Sequence, residues 1–129
     1  MKEITIKTSV QRDLIDITAE VQKAVMDHKK KEGVCLVFVP HTTAGIFINE
    51  THDTDLRKDL LDQLNRMIPV EGGYRHAGGN ADAHIKGSVI GCSLSIPVDG
   101  GRLALGQWQG IYFFEGDGPR ERKIKVSVY

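Results

Sequence analysis

Apolar and polar residues alternate near the start of the chain. Ile4, Ile6, Thr8 and Val10 are separated by polar neighbours, the period of a strand. The period then lengthens, and Val21, Ala24, Val25 and His28 fall on one helical face behind Thr18, a suitable N-cap. Lys29-Lys30-Lys31 suit the negative end of that helix, and Gly33 can close it. Val34–Val39 is a continuous apolar run, which predicts a central, well-buried strand. Gly45–Glu50 predicts another, with Ile46 and Ile48 on one face and Phe47 and Asn49 on the other. Asp53 or Thr54 can cap a helix carrying Leu56, Leu60, Leu64, Met67 and Ile68, and Pro69 stops it.

Glu71–Gly79 is polar and glycine-rich, as a loop would be. The next segment reads two ways. Asn80 can cap a helix running through His84 toward Ile90, yet Ile90, Cys92, Leu94 and Ile96 alternate as a strand would. Asp99-Gly100-Gly101 and Gly116-Asp117-Gly118-Pro119 are turn signals between apolar runs, and they predict an antiparallel meander. The pattern as a whole predicts one α+β domain over residues 1–129. Its expected form is a compact, mainly antiparallel β-sandwich flanked by two or three helices.

Composition narrows the function classes. Hydrophobic residues make up 40% of the 129 and charged residues 26%, the balance of a globular chain. Seventeen basic and seventeen acidic residues cancel, and aromatics are only 6%, so neither an electrostatic funnel nor a stacking platform for nucleic acid is present. No apolar run is long enough to cross a bilayer and no signal-peptide core follows Met1, which predicts a cytoplasmic protein without a membrane partner. Cys35 and Cys92 lie far apart among apolar or small residues, so both are expected as buried free thiols.

The candidate chemistry lies in three segments. In His41-Thr42-Thr43-Ala44-Gly45, two hydroxyls follow an imidazole at a strand end; they could bind phosphate, orient a metal-bound water, or simply satisfy a turn. The stretch from His76 to Lys86 gathers two imidazoles, a carboxylate, an amide and an ammonium. It lacks H-E-x-x-H and any cysteine partner, but His41, His76 and His84 together would suit a divalent metal such as zinc or magnesium. His84 and Lys86 would diverge on a helix and converge on a strand. In the third segment, Trp108 stands between Gln107 and Gln109, and Glu115 precedes a turn followed by Arg120 and Arg122, two residues apart as phosphate forks would be. No Walker, Rossmann or nucleophile-elbow pattern occurs, and neither cysteine has charged neighbours to activate it.

These same residues carry a resemblance. His41-Thr42-Thr43-Ala44-Gly45 to Asn49-Glu50, Asn80 to His84, Gly106 to Gln109 and Gly116-Asp117-Gly118-Pro119-Arg120 resemble the YjbQ family over nearly the whole chain. The resemblance implies a homotrimeric sandwich acting as a secondary thiamine-phosphate synthase, which joins a pyrimidine methyl pyrophosphate to a thiazole phosphate and releases pyrophosphate. On that expectation His41, His84 and Lys86 are catalytic, and His41, His76 and His84 hold the metal. Thr42, Asn49, Asn80, Trp108, Gln109, Glu115 and Arg120 then contact a phosphorylated small molecule. The competing expectations are a non-catalytic trimeric metal- or anion-binding protein and a metal-assisted phosphatase.

Overall fold

The computed structural model describes residues 1–129. In chain order the elements are β1 (Lys2–Lys7), β2 (Asp13–Asp16), α1 (Thr18–Met26), β3 (Gly33–Phe38), β4 (Ala44–Asn49), α2 (Thr54–Met67), α3 (Ala81–Ile90), β5 (Ser93–Asp99), β6 (Arg102–Leu103), β7 (Gly110–Glu115) and β8 (Glu121–Val128). They form a five-stranded sheet, β1-β8-β3-β5-β6, and a three-stranded sheet, β2-β7-β4. Every pairing is antiparallel. This bears out the α+β class with its antiparallel sheets and three helices.

Both sheets and α1 meet in one core. Val37, Ile96, Ile124 and Val126 come from the larger sheet, Ile46, Ile111 and Phe113 from the smaller, and Ile17, Val21 and Val25 from around α1. The far face of the smaller sheet presents Leu14, Tyr112 and Phe114, against which Leu60, Leu61 and Ile90 of α2 and α3 pack. Covered on both faces, β7 has no exposed residue, which is why its sequence reads Ile-Tyr-Phe-Phe without alternation.

Several local expectations change. Thr18 is the first helical residue of α1, not its cap; its hydroxyl and backbone N–H both donate to the Asp16 carboxylate. Gly33 opens β3 instead of closing α1. Asp53 caps α2 through the N–H groups of Asp55 and Leu56. The segment after Asn80 is helical, and its alternating residues become a strand only from Ser93. The C-terminal meander does not form: only β5 and β6 make a hairpin, while β7 crosses to the smaller sheet and β8 enters the larger one between β1 and β3. Strand β2, four residues long, was not foreseen.

Two glycines let α3 lie directly on β4. A Cβ at Gly87 would sit 2.7 Å from the Ala44 carbonyl oxygen, and one at Gly45 would sit 2.8 Å from Ile90 Cγ2 and 3.0 Å from the Gly91 carbonyl. The contact is then stitched by the Ile46 N–H, which donates to the Gly91 carbonyl at 3.0 Å. Gly87→Ala should destabilise the protein by about 1–3 kcal/mol through this overpacking, against the roughly 1 kcal/mol that alanine gains in a helix. Urea unfolding checks it, and an unchanged midpoint would show that α3 can draw away from β4 without loss.

Candidate functional site

The β3–β4 connection and the helix it supports enclose a cleft of about 330 Å³, lined by His41, Thr42, His84, Ser88 and Cys92 with small residues between them. His41 follows β3, and His84 and Ser88 stand one helical turn apart on α3. Ser88 Oγ donates to the His84 carbonyl at 2.8 Å. Cys92 is exposed at this cleft, not buried as expected, whereas Cys35 lies in the core. Burial raises the Cys35 thiol to about 11 and keeps it inert.

The state of His41 follows from its neighbours. The Lys123 backbone N–H donates to His41 Nε2 at 2.9 Å. An N–H can only donate, so Nε2 is unprotonated and the neutral ring carries its proton on Nδ1. The Lys123 carbonyl lies 3.1 Å from the same nitrogen and would suit the opposite tautomer. Burial, and then the nearby positive charge of Arg122, lower the His41 pKa and favour the neutral ring. His41 is therefore a neutral donor through Nδ1.

Beneath His41 lies a buried ion pair that joins the two sheets. Arg122 on β8 forms a bidentate pair with Glu115 on β7, through Nε to Oε1 at 2.8 Å and Nη2 to Oε2. Arg122 Nη2 also donates to Thr43 Oγ1 at 2.9 Å, and Thr8 Oγ1 donates to Glu115 Oε1 at 2.8 Å. Burial alone would raise the Glu115 pKa; Arg122, the Asp117 N–H and Thr8 outweigh it and hold the carboxyl below its ordinary value. Glu115 is thus fully enclosed and cannot contact substrate, contrary to expectation.

Lys86 is likewise displaced from its expected role. On a helix it diverges from His84, and its buried ammonium donates to Asp82 at 2.6 Å and Asn65 at 2.7 Å. Arg12 clamps the same Asp82 with two bonds of 3.0 Å. Burial would raise the Asp82 pKa, but the bonds from Arg12 and Lys86 lower it on balance. The network ties α2, α3 and the β1–β2 connection together under the cleft.

The remaining expected residues divide between two ends of the molecule. His76 packs edge-on against His84, with ring centroids 5.2 Å apart. Asn80 Nδ2 donates to Asp117 at 2.8 Å, which orients its Oδ1 toward His76 Nε2 at 3.0 Å. Arg120 bonds Asp117 at 3.2 Å, so His76, Asn80 and Arg120 form a polar string beside His84. Asn49, Trp108 and Gln109 do not join it. The register pairs Ala44 with Glu115 and Asn49 with Gly110, placing them at the opposite end of β4 and β7. A six-residue strand spans roughly 17–20 Å. Trp108 is 69% exposed there, neither core nor cleft wall. Nor does one chain gather His41, His76 and His84 into a metal site: no group of three His, Cys, Asp or Glu side chains has metal-holding geometry.

A family model described as "UPF0047 protein YjbQ-like" matches residues 2–129. The chain belongs to this family. It is 46% identical to the UPF0047 protein YugU of Bacillus subtilis, over 99% of this chain and 98% of the relative. A UPF0047 protein of Methanocaldococcus jannaschii is 45% identical, over 95% and 89%. The crystal structure of a YjbQ/UPF0047 protein of Clostridium acetobutylicum superposes with a TM-score of 0.96 at 48% identity, covering all of both chains. A Sulfolobus solfataricus structure, of a "YbjQ-like protein of unknown function", gives 0.94 at 37% identity over 98% and 94%. The expectation of thiamine-phosphate synthesis is overturned here. The UPF0047 family is one of unknown function, and nothing in these relatives supports that reaction or a transferase assignment. No helix is long and apolar enough to cross a membrane.

Removing Arg122 tests the role of the ion pair. Arg122→Met should cost about 3–5 kcal/mol at neutral pH, because it leaves the Glu115 charge buried without a partner. In the wild type, the lowered Glu115 pKa contributes stability above the ordinary carboxylate value, lost as pH falls through the folded value. The variant reverses the sign, since an unpaired buried carboxyl titrates above its ordinary value. Denaturation at neutral pH and at about pH 5 should therefore show a smaller difference between variant and wild type in acid. A pH-independent difference would contradict this account.

Proposed function

We propose that the protein binds a small phosphorylated molecule and holds its oxyanion in the cleft between His41 and His84. The observation that carries the reading is the character of the lining: His41, Thr42 and His84 offer donors, and no carboxylate faces the cleft. A volume of about 330 Å³ suits a compact ligand. The neutral His41 offers Nδ1–H, the Thr42 hydroxyl stands beside it, and His84 has no side-chain hydrogen bond that would withdraw it. Arg120, half-exposed and linked to His76 through Asp117 and Asn80, supplies positive charge on that side.

A divalent metal at this place would find His84 and the free Nδ1 of His76 but would need further ligands from outside one chain. Calorimetry with inorganic phosphate and phenyl phosphate separates the readings. Saturable binding to the wild type should weaken at least tenfold in His84→Ala and in His41→Ala, as expected for a charge-assisted bond of about 1.5–3 kcal/mol. Thermal unfolding should be nearly unchanged in His84→Ala and lowered in His41→Ala, which leaves the Lys123 N–H without its acceptor. Binding that is absent from the wild type, or unchanged in both variants, would overturn the proposal. A stoichiometric zinc in the purified protein that disappears in His84→Ala would replace it with a metal site.

A homotrimer is the assembly we propose with this function. The family resemblance gives the order, and the outer face of β3 gives a reason for self-association. Val34, Leu36 and Phe38 are 44%, 36% and 40% exposed on the central strand of the larger sheet. Their cross-strand neighbours on β5 are Pro97, Ser95 and Ser93, so the strip is uncharged on that side. A strand apolar on both faces is one that normally lies between two covered surfaces. Analytical ultracentrifugation should give three chains per particle and monomers for Leu36→Lys. A monomeric wild type, or a variant of unchanged mass, would remove β3 from any interface.

A further inference from the structure

We propose a second small-molecule site, for an amine-bearing cation, in a separate cavity at the opposite end of β4 and β7 from the His41–His84 cleft. The cavity measures about 330 Å³ and lies among the start of α1, Thr51–His52 after β4, and Gln109–Gly110 where β7 begins. It is built by close packing. A Cβ at Gly110 would fall 2.2 Å from Thr51 Oγ1, so only glycine lets these two chain segments meet and form the floor. Leu103, Leu105 and Ala19 supply an apolar wall.

The polar groups show what the cavity would take. Both amide atoms of Gln22 are engaged by the fold, Nε2 with the Gly101 carbonyl at 3.0 Å and Oε1 with the Leu103 N–H at 2.9 Å. Gln109 Oε1 accepts from the Gly106 N–H at 2.8 Å, which leaves its Nε2 free and fixes the loop that carries it. The Thr18 hydroxyl donates to Asp16 at 2.6 Å and accepts from the Ile111 N–H at 2.8 Å. Both Thr18 bonds to Asp16 fall on Oδ1, and the Thr51 hydroxyl also reaches the carboxylate, so a ligand ammonium would share Oδ2 with Thr51.

Asp16 is also the only carboxylate on the lining, which holds His52 but no lysine or arginine; Arg57, outside the lining, lies close enough to act on its charge. Burial would raise its pKa, but Thr18, Thr51 and Arg57 lower it on balance and keep it charged. Arg57 stands behind the cavity, donating to the Thr51 carbonyl at 2.7 Å with its guanidinium 5.6 Å from the Tyr112 ring centroid. A fixed carboxylate above an apolar wall selects a short cation with a hydrocarbon body. The His41–His84 cleft has the opposite character, with donors and no carboxylate. The second site does not depend on the oxyanion reading of that cleft.

The test is a titration of the full-length protein with n-butylammonium, and with n-butanol as its uncharged counterpart, followed by backbone amide NMR shifts. Butylammonium should give saturable shifts at Thr18, His52 and Gly110 that butanol does not match. Asp16→Asn, which keeps the Oδ1 acceptor, should weaken binding at least tenfold. Ala19→Phe, which fills the mouth while leaving every hydrogen bond above in place, should abolish it even if Asp16→Asn fails to fold. Non-saturating shifts, equal shifts with butanol, or binding that survives Ala19→Phe would overturn the proposal. Phosphate binding to the His41–His84 cleft should be unaltered by Ala19→Phe, so failure of one site is distinguishable from failure of the other.

Discussion

The Glu115–Arg122 pair is the interaction on which the arrangement of the cleft depends. Glu115 ends β7 in the smaller sheet, Arg122 lies near the start of β8 in the larger one, and both are buried. A buried charge is tolerated only when it is paired and its remaining hydrogen-bonding positions are filled. Thr8 and the Asp117 N–H fill those of Glu115, and Thr43 takes the guanidinium's second face. The pair therefore fixes four chain segments at once. Thr43 belongs to the connection that carries His41, and Lys123, the residue after Arg122, supplies the N–H that sets the His41 tautomer. A site of a few side chains thus inherits its geometry from a contact that no ligand can reach.

The opposite wall of the cleft rests on absence of side chains. Because Gly45 and Gly87 have none, α3 approaches β4 at backbone distance and carries His84 toward His41. The same helix turns Lys86 the other way, into the Asp82–Arg12–Asn65 network. His84 and Lys86, two residues apart, consequently have separate duties. One faces the cleft and the other anchors the helix that presents it.

Much of this fold was legible in the sequence, because periodicity reports which face of an element is covered. Strands β1, β3 and β4, helix α2 and the two glycine turns all followed from local pattern, but β3 is central without being well buried, since Val34, Leu36 and Phe38 on its outer face are exposed. Sheet order did not, since a turn signal says where the chain reverses but not which strand it joins; hence the meander that was expected and does not occur. Strand β2 has only four residues and no sustained alternation. In the site, His41 and His84 were found from their polar company, but Ser88 and Cys92 were not, because a lone hydroxyl and a neutral thiol look unremarkable in sequence. Two neglected signals were present. Glu115 ends a wholly apolar run, where a carboxylate requires a partner, and Asp82 and Lys86 have the i,i+4 spacing of a helical ion pair.

The division of the family-motif residues between two ends of the molecule also has a physical reading. Strands β4 and β7 are antiparallel neighbours, so the residues before one strand lie beside those after the other. His41–Thr43 therefore meets Glu115 and Arg120, while Asn49–His52 meets Trp108 and Gln109. Sequence proximity hides this separation, because His41 and Asn49 are only a strand's length apart in the chain. The cavities beside them also differ in charge chemistry: His41, Thr42 and His84 line the first with no carboxylate, while Asp16, His52, two glutamines and two leucines line the second. A single ligand bridging them would have to pass through the buried face of β7, whose residues are all inaccessible. Within one chain the motif residues thus fall at two ends of one antiparallel strand pair and do not gather around a single cavity.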